Sequence, residues 1–379
     1  MRVISFLLSC VFIVVPLVDA FETILQPRRV THRFRFARLF YRANWSLWRA
    51  VALRLPVGRR REAFLGVFGP LSLLMLFAMW VMGLVLGFGF LHYAVSSPVH
   101  GPGDGLLGYF YLSGVAFFTL GFAELVPAGH LARALGVIEA GLGFGFLAVI
   151  VSYLPVLYGA FSKRETAISL LDARAGSPPS AMEFLMRLAR FGKMELADEF
   201  LLEWEVWSAE LLESHLSFPV LTFYRSQHDN QSWLATLTMI LDTCAVLMTV
   251  ARHNTLRAQL TYAMARHAAV DMALVLGARP TARVERKDRL PSEDRKRLAS
   301  ALKQAGVDLS DAPDVDARLT GLRDAYEPFV IILGERLLFR IPEIAPKDPS
   351  ADNWQRSSWM RKTAGIGQLS SPGTSNDHF

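Results

Sequence analysis

The amino-acid sequence predicts an all-α membrane protein with a helical domain attached, and three observations carry that expectation. Hydrophobic residues make up 52% of the 379 and charged residues 20%, the latter below the about 25% usual in soluble domains. Mean hydropathy is +0.29. The apolar excess is concentrated before residue 162, in three long spans at 3–25, 64–93 and 131–161. A hydrocarbon core of about 30 Å needs roughly 20 helical residues to cross it, so each span is long enough. Between the second and third lies a short apolar segment, 105–118, of the length that reads as a re-entrant or interfacial piece. Past residue 161 the chain turns polar and takes up helical periodicity.

These features divide the chain into an N-terminal transmembrane helix (1–25), a basic connector (26–63) and a membrane unit of outer helix, loop and inner helix (64–161). A helical domain (162–277), a linker with further helices (278–341) and a polar tail (342–379) follow. The first span has two readings. In one it is retained as a transmembrane helix. In the other, Arg2, the apolar run and Val18-Asp19-Ala20 form a secretory signal with a small-residue cleavage site.

The connector fixes orientation. Arg28, Arg29, Arg33, Arg35, Arg38, Arg42, Arg49, Arg54, Arg59, Arg60 and Arg61 crowd a short stretch. Short loops rich in arginine stay in the cytoplasm. The first span therefore runs inward, the second outward and the third inward again, to Lys163 and Arg164. A multi-pass protein of the cell membrane with a cytoplasmic C-terminal domain is expected. Phe34, Phe36, Phe40, Tyr41, Trp45 and Trp48 alternate with the arginines, as in an amphipathic helix at the cytoplasmic leaflet. Anionic lipid is the partner this implies, at about 1 kcal/mol per basic residue near the surface. The formal charge of +6 comes largely from this stretch, which reads as a membrane surface and not as a nucleic-acid site. Asn44-Trp45-Ser46 matches a glycosylation sequon on the wrong side of the membrane. Cys10 and Cys244 imply no disulfide framework.

The short segment runs into Thr119-Leu120-Gly121-Phe122-Ala123-Glu124. Irregular backbone at membrane depth is tolerated only where it is buried in protein or lines water. The segment thus reads as a half-helix that enters the membrane and returns as extended chain. This run resembles the filter pattern Thr-Val-Gly-Tyr-Gly-Asp of potassium channels, and residues 64–161 resemble the pore domain of bacterial two-transmembrane and two-pore-domain potassium channels. The resemblance implies a homotetramer. It also implies a selectivity filter at Thr119, Leu120, Gly121, Phe122 and Ala123, whose backbone carbonyls replace an ion's hydration shell. Glu124 would form a carboxylate ring at the outer mouth. No cofactor or metal is implied beyond permeant potassium ions. Gly121 suits the positive φ such a filter needs, and Leu120 and Phe122 stand for Val and Tyr, facing an outer packing collar.

The chain departs from the pattern twice. Ala123 replaces the second glycine, and a left-handed conformation there costs about 1–2 kcal/mol in every subunit. Phe118 replaces the usual threonine before the filter. If the assembly absorbs the strain, selectivity for potassium is kept. If the upper filter relaxes, a non-selective cation channel results. A third alternative is a non-conducting scaffold or sensor with a degenerate loop.

Gly141, Gly143 and Gly145 precede Pro155 in the third span. The resemblance implies a gating hinge at Gly143. Small residues also let membrane helices approach closely, and packing is the competing role. Glu139 is an ionisable residue inside the span, which marks a functional or water-filled position. It has a structural reading too, near the outer interface behind the filter, paired with a backbone donor or with Arg133.

Beyond the membrane unit, Met182, Leu185, Met186 and Ala189 recur at helical spacing, as do Phe200, Trp204, Trp207 and Leu211. Helices are expected over 232–251 and 255–276. The stretch 233–250 is apolar enough to suggest a fourth span. Asp242 near its centre would cost roughly 2.5–3.5 kcal/mol in a bilayer, which assigns it to a soluble bundle. His215, His228, Asp229 and Asp242 are of metal-binding types but follow no compact ligand spacing. Asp229 or Asn230 is expected to cap the helix that follows. No dinucleotide-binding glycine pattern, cyclic-nucleotide barrel, arginine-repeat voltage sensor or converging catalytic set is found, so an enzyme is not expected. Residues 278–294 read as an exposed linker, 292–305 as a basic helix capped by Ser292, and 314–339 as further helix. From residue 342 the composition is that of a disordered tail.

Overall fold

Three helices of the protein are long and apolar enough to cross a membrane: Arg2–Leu25, Arg59–Ala94 and His130–Ala175. The computed structural model describes residues 2–26, 36–95, 99–100, 105–122, 124–227, 230–253, 255–279 and 288–347. It divides into two compact units, Met1–Gly159 and Ala160–Phe379.

In the first unit α1 (Arg2–Ala20) runs on through one wider turn, Phe21–Leu25. It is followed by α2 (Phe36–Ala52) and α3 (Arg59–Ala94). α1 lies antiparallel to α3, with Pro16 against Gly83 and Ile13 against Gly87. A Cβ on Gly83 would stand 2.8 Å from Pro16 Cγ, and one on Gly87 3.0 Å from the backbone of Phe12. Small residues allow this approach where no hydrophobic drive separates helix from lipid. Asp19 closes one end of the contact. Its carboxylate accepts from Trp80 Nε1 at 2.9 Å and from the Ala37 N–H at 3.0 Å. The second of these satisfies one of the orphan donors at the start of α2. The residue that a signal-peptide reading puts at a cleavage site is therefore buried and ties three helices together.

The connector does form an amphipathic helix, but its aromatic face turns to protein. Trp48 stacks on Phe64 at 4.4 Å and Trp45 meets Phe68 edge-on at 4.9 Å. Trp48 Nε1 donates to the Phe64 carbonyl. These pairs run α2 antiparallel along the first half of α3. The aromatic rings were expected to face lipid. Instead, Leu39 and Leu47 with Arg38 and Arg42 make the exposed face. Arg28, Arg29, Arg33 and Arg35 lie outside the described residues.

A two-residue strand β1 (Val99–His100), α4 (Leu106–Phe117), β2 (Val126–Pro127) and α5 (His130–Ala175) follow. α5 continues well past residue 161, where the third span was expected to end.

In the second unit α6 (Ala181–Arg190), α7 (Ala197–Ser217), α8 (Trp233–Thr249) and α9 (Leu256–Val275) share one core with α10 (Ser292–Gln304), α11 (Val315–Asp324) and α12 (Glu327–Leu337). α8, the apolar stretch that could pass for a fourth span, is buried along nearly its whole length in this core. Its Asp242 takes both guanidinium nitrogens of Arg289, at 3.1 and 2.7 Å, and the Tyr326 hydroxyl. Arg289 also bonds Glu327 and the Pro342 carbonyl, and Glu327 accepts from Arg323. Helix starts are capped by side chains where the chain changes direction: Ser180 for α6, Ser232 for α8 and Thr255 for α9.

Several boundaries differ from expectation. Ser232, not Asn230, caps α8, because Asn230 sits in the turn before it at φ 63°. Asp229 and His228 lie outside the described residues. Ser292 is the first helical residue of α10, with Pro291 at the cap position and no side-chain cap bond. The stretch 314–339 breaks into two helices around the buried Tyr326. Of the tail expected to be disordered, Ile344 and Ala345 are buried, and the Ile344 carbonyl accepts from Met182 N at 3.2 Å. Residues 348–379 lie outside the described residues.

A buried pair at the end of α7 gives this unit a pH dependence. Arg164 donates to the Leu221 and Tyr224 carbonyls and lies 3.3 Å from His215 Nε2. His215 Nδ1 is 2.7 Å from the Leu211 carbonyl, so Nδ1 carries the hydrogen and Nε2 accepts. Burial, and after it the Arg164 charge, pushes the His215 pKa well below the usual histidine value. A base depressed in the folded state binds fewer protons there than in the unfolded chain, so stability falls as pH drops through the ordinary value of 6.5. Thermal unfolding of this unit should move down between about pH 7.5 and about pH 5.5, and His215→Gln should flatten that slope.

Candidate functional site

α4 is a twelve-residue apolar helix seated between α3 and α5. Two glycines make the seat. A Cβ at Gly89 of α3 would lie 3.1 Å from Phe110 Cα, and one at Gly143 of α5 would lie 2.9 Å from the Phe117 carbonyl carbon. Phe90 packs edge-on against Phe110 at 5.0 Å, and Phe117 is fully buried beside Phe146. Ser113 Oγ lies 2.7 Å from the Val85 carbonyl of α3.

The end of α4 is closed by a pair of backbone bonds. Thr119 N donates to the Ala116 carbonyl at 3.1 Å, and Leu120 N to the Val115 carbonyl at 3.0 Å. This is the Schellman arrangement, which requires a left-handed residue just past the helix. Thr119 occupies that position at φ 53°, where glycine is the usual residue. A side chain there costs about 1–2 kcal/mol. Gly121 follows at φ 72°, the positive angle expected of it. The chain after α4 thus turns left-handed twice in three residues, and no side chain of 118–122 is buried in the single chain. Leu120 and Phe122 are each more than half exposed, so any packing collar around them must come from outside the chain. Ala123 lies outside the described residues. Glu124 is exposed, and its carboxylate accepts from Tyr111 Oη of α4 at 3.2 Å. A short antiparallel ladder, Val99 with Pro127 and His100 with Val126, then ties the segment back to the end of α3.

No protein-family model matches this chain, and no curated protein or solved structure matches it either.

The sequence-predicted residues Thr119, Leu120, Gly121, Phe122 and Glu124 fall together on one turn, and Gly143 lies directly beneath its helix. Gly143 has a packing role here, beside Phe117. Glu139, one helical turn earlier on α5, is fully buried. It bonds Ser113 Oγ of α4, and its other carboxylate oxygen lies 3.4 Å from His92 Nε2 of α3. Arg133 does not pair with it and instead reaches the Pro127 carbonyl. Ser113 and His92 were not singled out by sequence. A hydroxyl in the middle of a short apolar helix, and a histidine near the end of a long one, were the available signals. Among the described residues no three His, Cys, Asp or Glu side chains converge on a metal site. His215 and Asp242 are engaged by Arg164 and Arg289 instead.

Proposed function

We propose that this chain is one subunit of a membrane cation channel, with potassium as the preferred ion, and that copies of residues 119–123 surround a common axis. The observation that carries the reading is the left-handed turn after α4. A short helix held between two spanning helices ends in a strained, exposed segment whose second positive φ falls on Gly121. Strain of this kind persists where the surroundings over-determine it, and such places cluster at functional sites.

The coverage of the helices supports an assembly. Of the apolar stretch in α5 only 17% is buried within the chain, against 50% for α3. In the channel reading α5 is the inner helix, covered by neighbouring subunits and by the water-filled path. Backbone carbonyls of 119–123 take the place of water around the ion, and Glu124, steadied by Tyr111, concentrates cations at the outer mouth. Gating in this reading is a motion of α5, with the helical domain modulating it from the cytoplasm. The exposed arginines of α2 meet anionic lipid on that side.

Alanine at 123 favours a second reading, a wider filter that passes sodium as well. Two substitutions test both. Gly121→Asp should remove the current, since an aspartate side chain at positive φ fills the path and breaks the turn. Ala123→Gly should conduct with at least the parent's preference for potassium. A Gly121→Asp channel that conducts like the parent would sink the channel reading.

A further inference from the structure

The polar cluster behind α4 has one hydrogen too few for its bonds unless the carboxyl supplies it. Ser113 Oγ is within bonding reach of two oxygens, the Val85 carbonyl on α3 and Glu139 Oε1 on α5. A hydroxyl has a single hydrogen to donate. If that hydrogen goes to Val85, the bond between Ser113 and Glu139 needs a proton on the carboxyl. The three side chains are enclosed: Glu139 and Ser113 are fully buried and His92 is 1% exposed. Among the described residues, the titratable group facing Glu139 from α3 is His92, α4 presents the neutral Ser113, and Arg133 on α5 is turned to Pro127. The cluster sits at the level of the α4 seat, with Gly143 and Phe117 one turn away.

We propose that Glu139 is a positioning residue for the loop. A proton on Glu139 links α5 through Ser113 to the α3 backbone and holds α4, and so residues 118–122, in the conducting arrangement. Loss of that proton to solvent breaks the O–H bond of the carboxyl and leaves a carboxylate, with His92 Nε2 3.4 Å from its Oε2. Ser113 then has one hydrogen for two acceptors, so either its link to Val85 or its link to Glu139 is lost and α4 is released.

This inference rests on the channel reading and is tested in the full-length protein reconstituted in liposomes. Potassium flux of the parent should fall several-fold as the pH is raised from about 5.5 to about 8.5, as Glu139 loses its proton. Glu139→Gln keeps a hydrogen donor for Ser113 but cannot ionise, so its flux should stay high and lose the pH dependence. Ser113→Ala, which breaks the chain of bonds and leaves the Glu139 carboxyl in place, should conduct several-fold less than the parent in acid. A parent whose flux is the same at every pH, a glutamine variant with the parent's profile, or an unimpaired Ser113→Ala would each overturn the proposal and leave the channel reading standing. A parent that passes no cation at any pH would overturn the channel reading itself.

Discussion

Gly143→Ala should cost the protein most of its cation flux, whereas Gly141→Ala and Gly145→Ala should leave it nearly unchanged. A Cβ at Gly143 would lie 2.9 Å from the carbonyl carbon of Phe117 and 3.0 Å from its Cα, both backbone atoms. Phe117 has no room to yield. Its ring is fully buried, and the next residues are fixed by the two bonds that close α4. Overpacking of this kind costs about 1–3 kcal/mol. That corresponds to roughly a fivefold to a hundredfold loss of correctly seated loops. At Gly141 and Gly145 an added Cβ meets nothing within 4 Å. All three substitutions stiffen α5 to a similar degree, so flux measurements on the set separate a packing role from a hinge. Equal losses at the three positions would point to flexibility as the property that matters.

Arg289→Met should be the most damaging single change in the second unit. It strips Asp242, which is 1% exposed, of both guanidinium bonds and leaves the carboxylate buried with the Tyr326 hydroxyl. Removing one partner of a buried pair costs about 3–5 kcal/mol. In a unit of this size, each kcal/mol moves the midpoint by about 2–4 °C, so a fall on the order of 10 °C is expected. Asp242→Leu combined with Arg289→Met should recover much of it, because a buried ion pair replaced by apolar groups is often neutral. Thermal unfolding followed by helical circular dichroism measures both. A single variant as stable as the parent would mean that Asp242 finds another partner.

The three long apolar helices were legible because hydropathy depends only on composition along the chain. Their positions, the short helix α4 and the positive φ of Gly121 were all foreseen at or near their observed places. Asp242 was expected in a helical bundle, since a lone carboxylate is costly in lipid, and it lies in the buried core of the second unit beside an arginine. Its partner was not legible. Arg289 is 47 residues away in sequence, beyond a stretch that reads as an exposed linker. The same is true of the buried trio, where Glu139 was noticed but Ser113 and His92 were not, because pairing across three helices leaves no local pattern. Thr119 was read only as part of a filter, and its left-handed backbone was missed because threonine is a poor residue for that conformation. The aromatic face of α2 was assigned to lipid, since an interfacial helix and one packed on a neighbour share the same periodicity.

The most direct measurement is cation flux through the purified protein in liposomes under a potassium gradient, repeated with sodium. Potassium flux well above sodium flux is expected, with Gly121→Asp silent. An absence of flux for both ions, from protein that is folded and oligomeric, would contradict the channel reading.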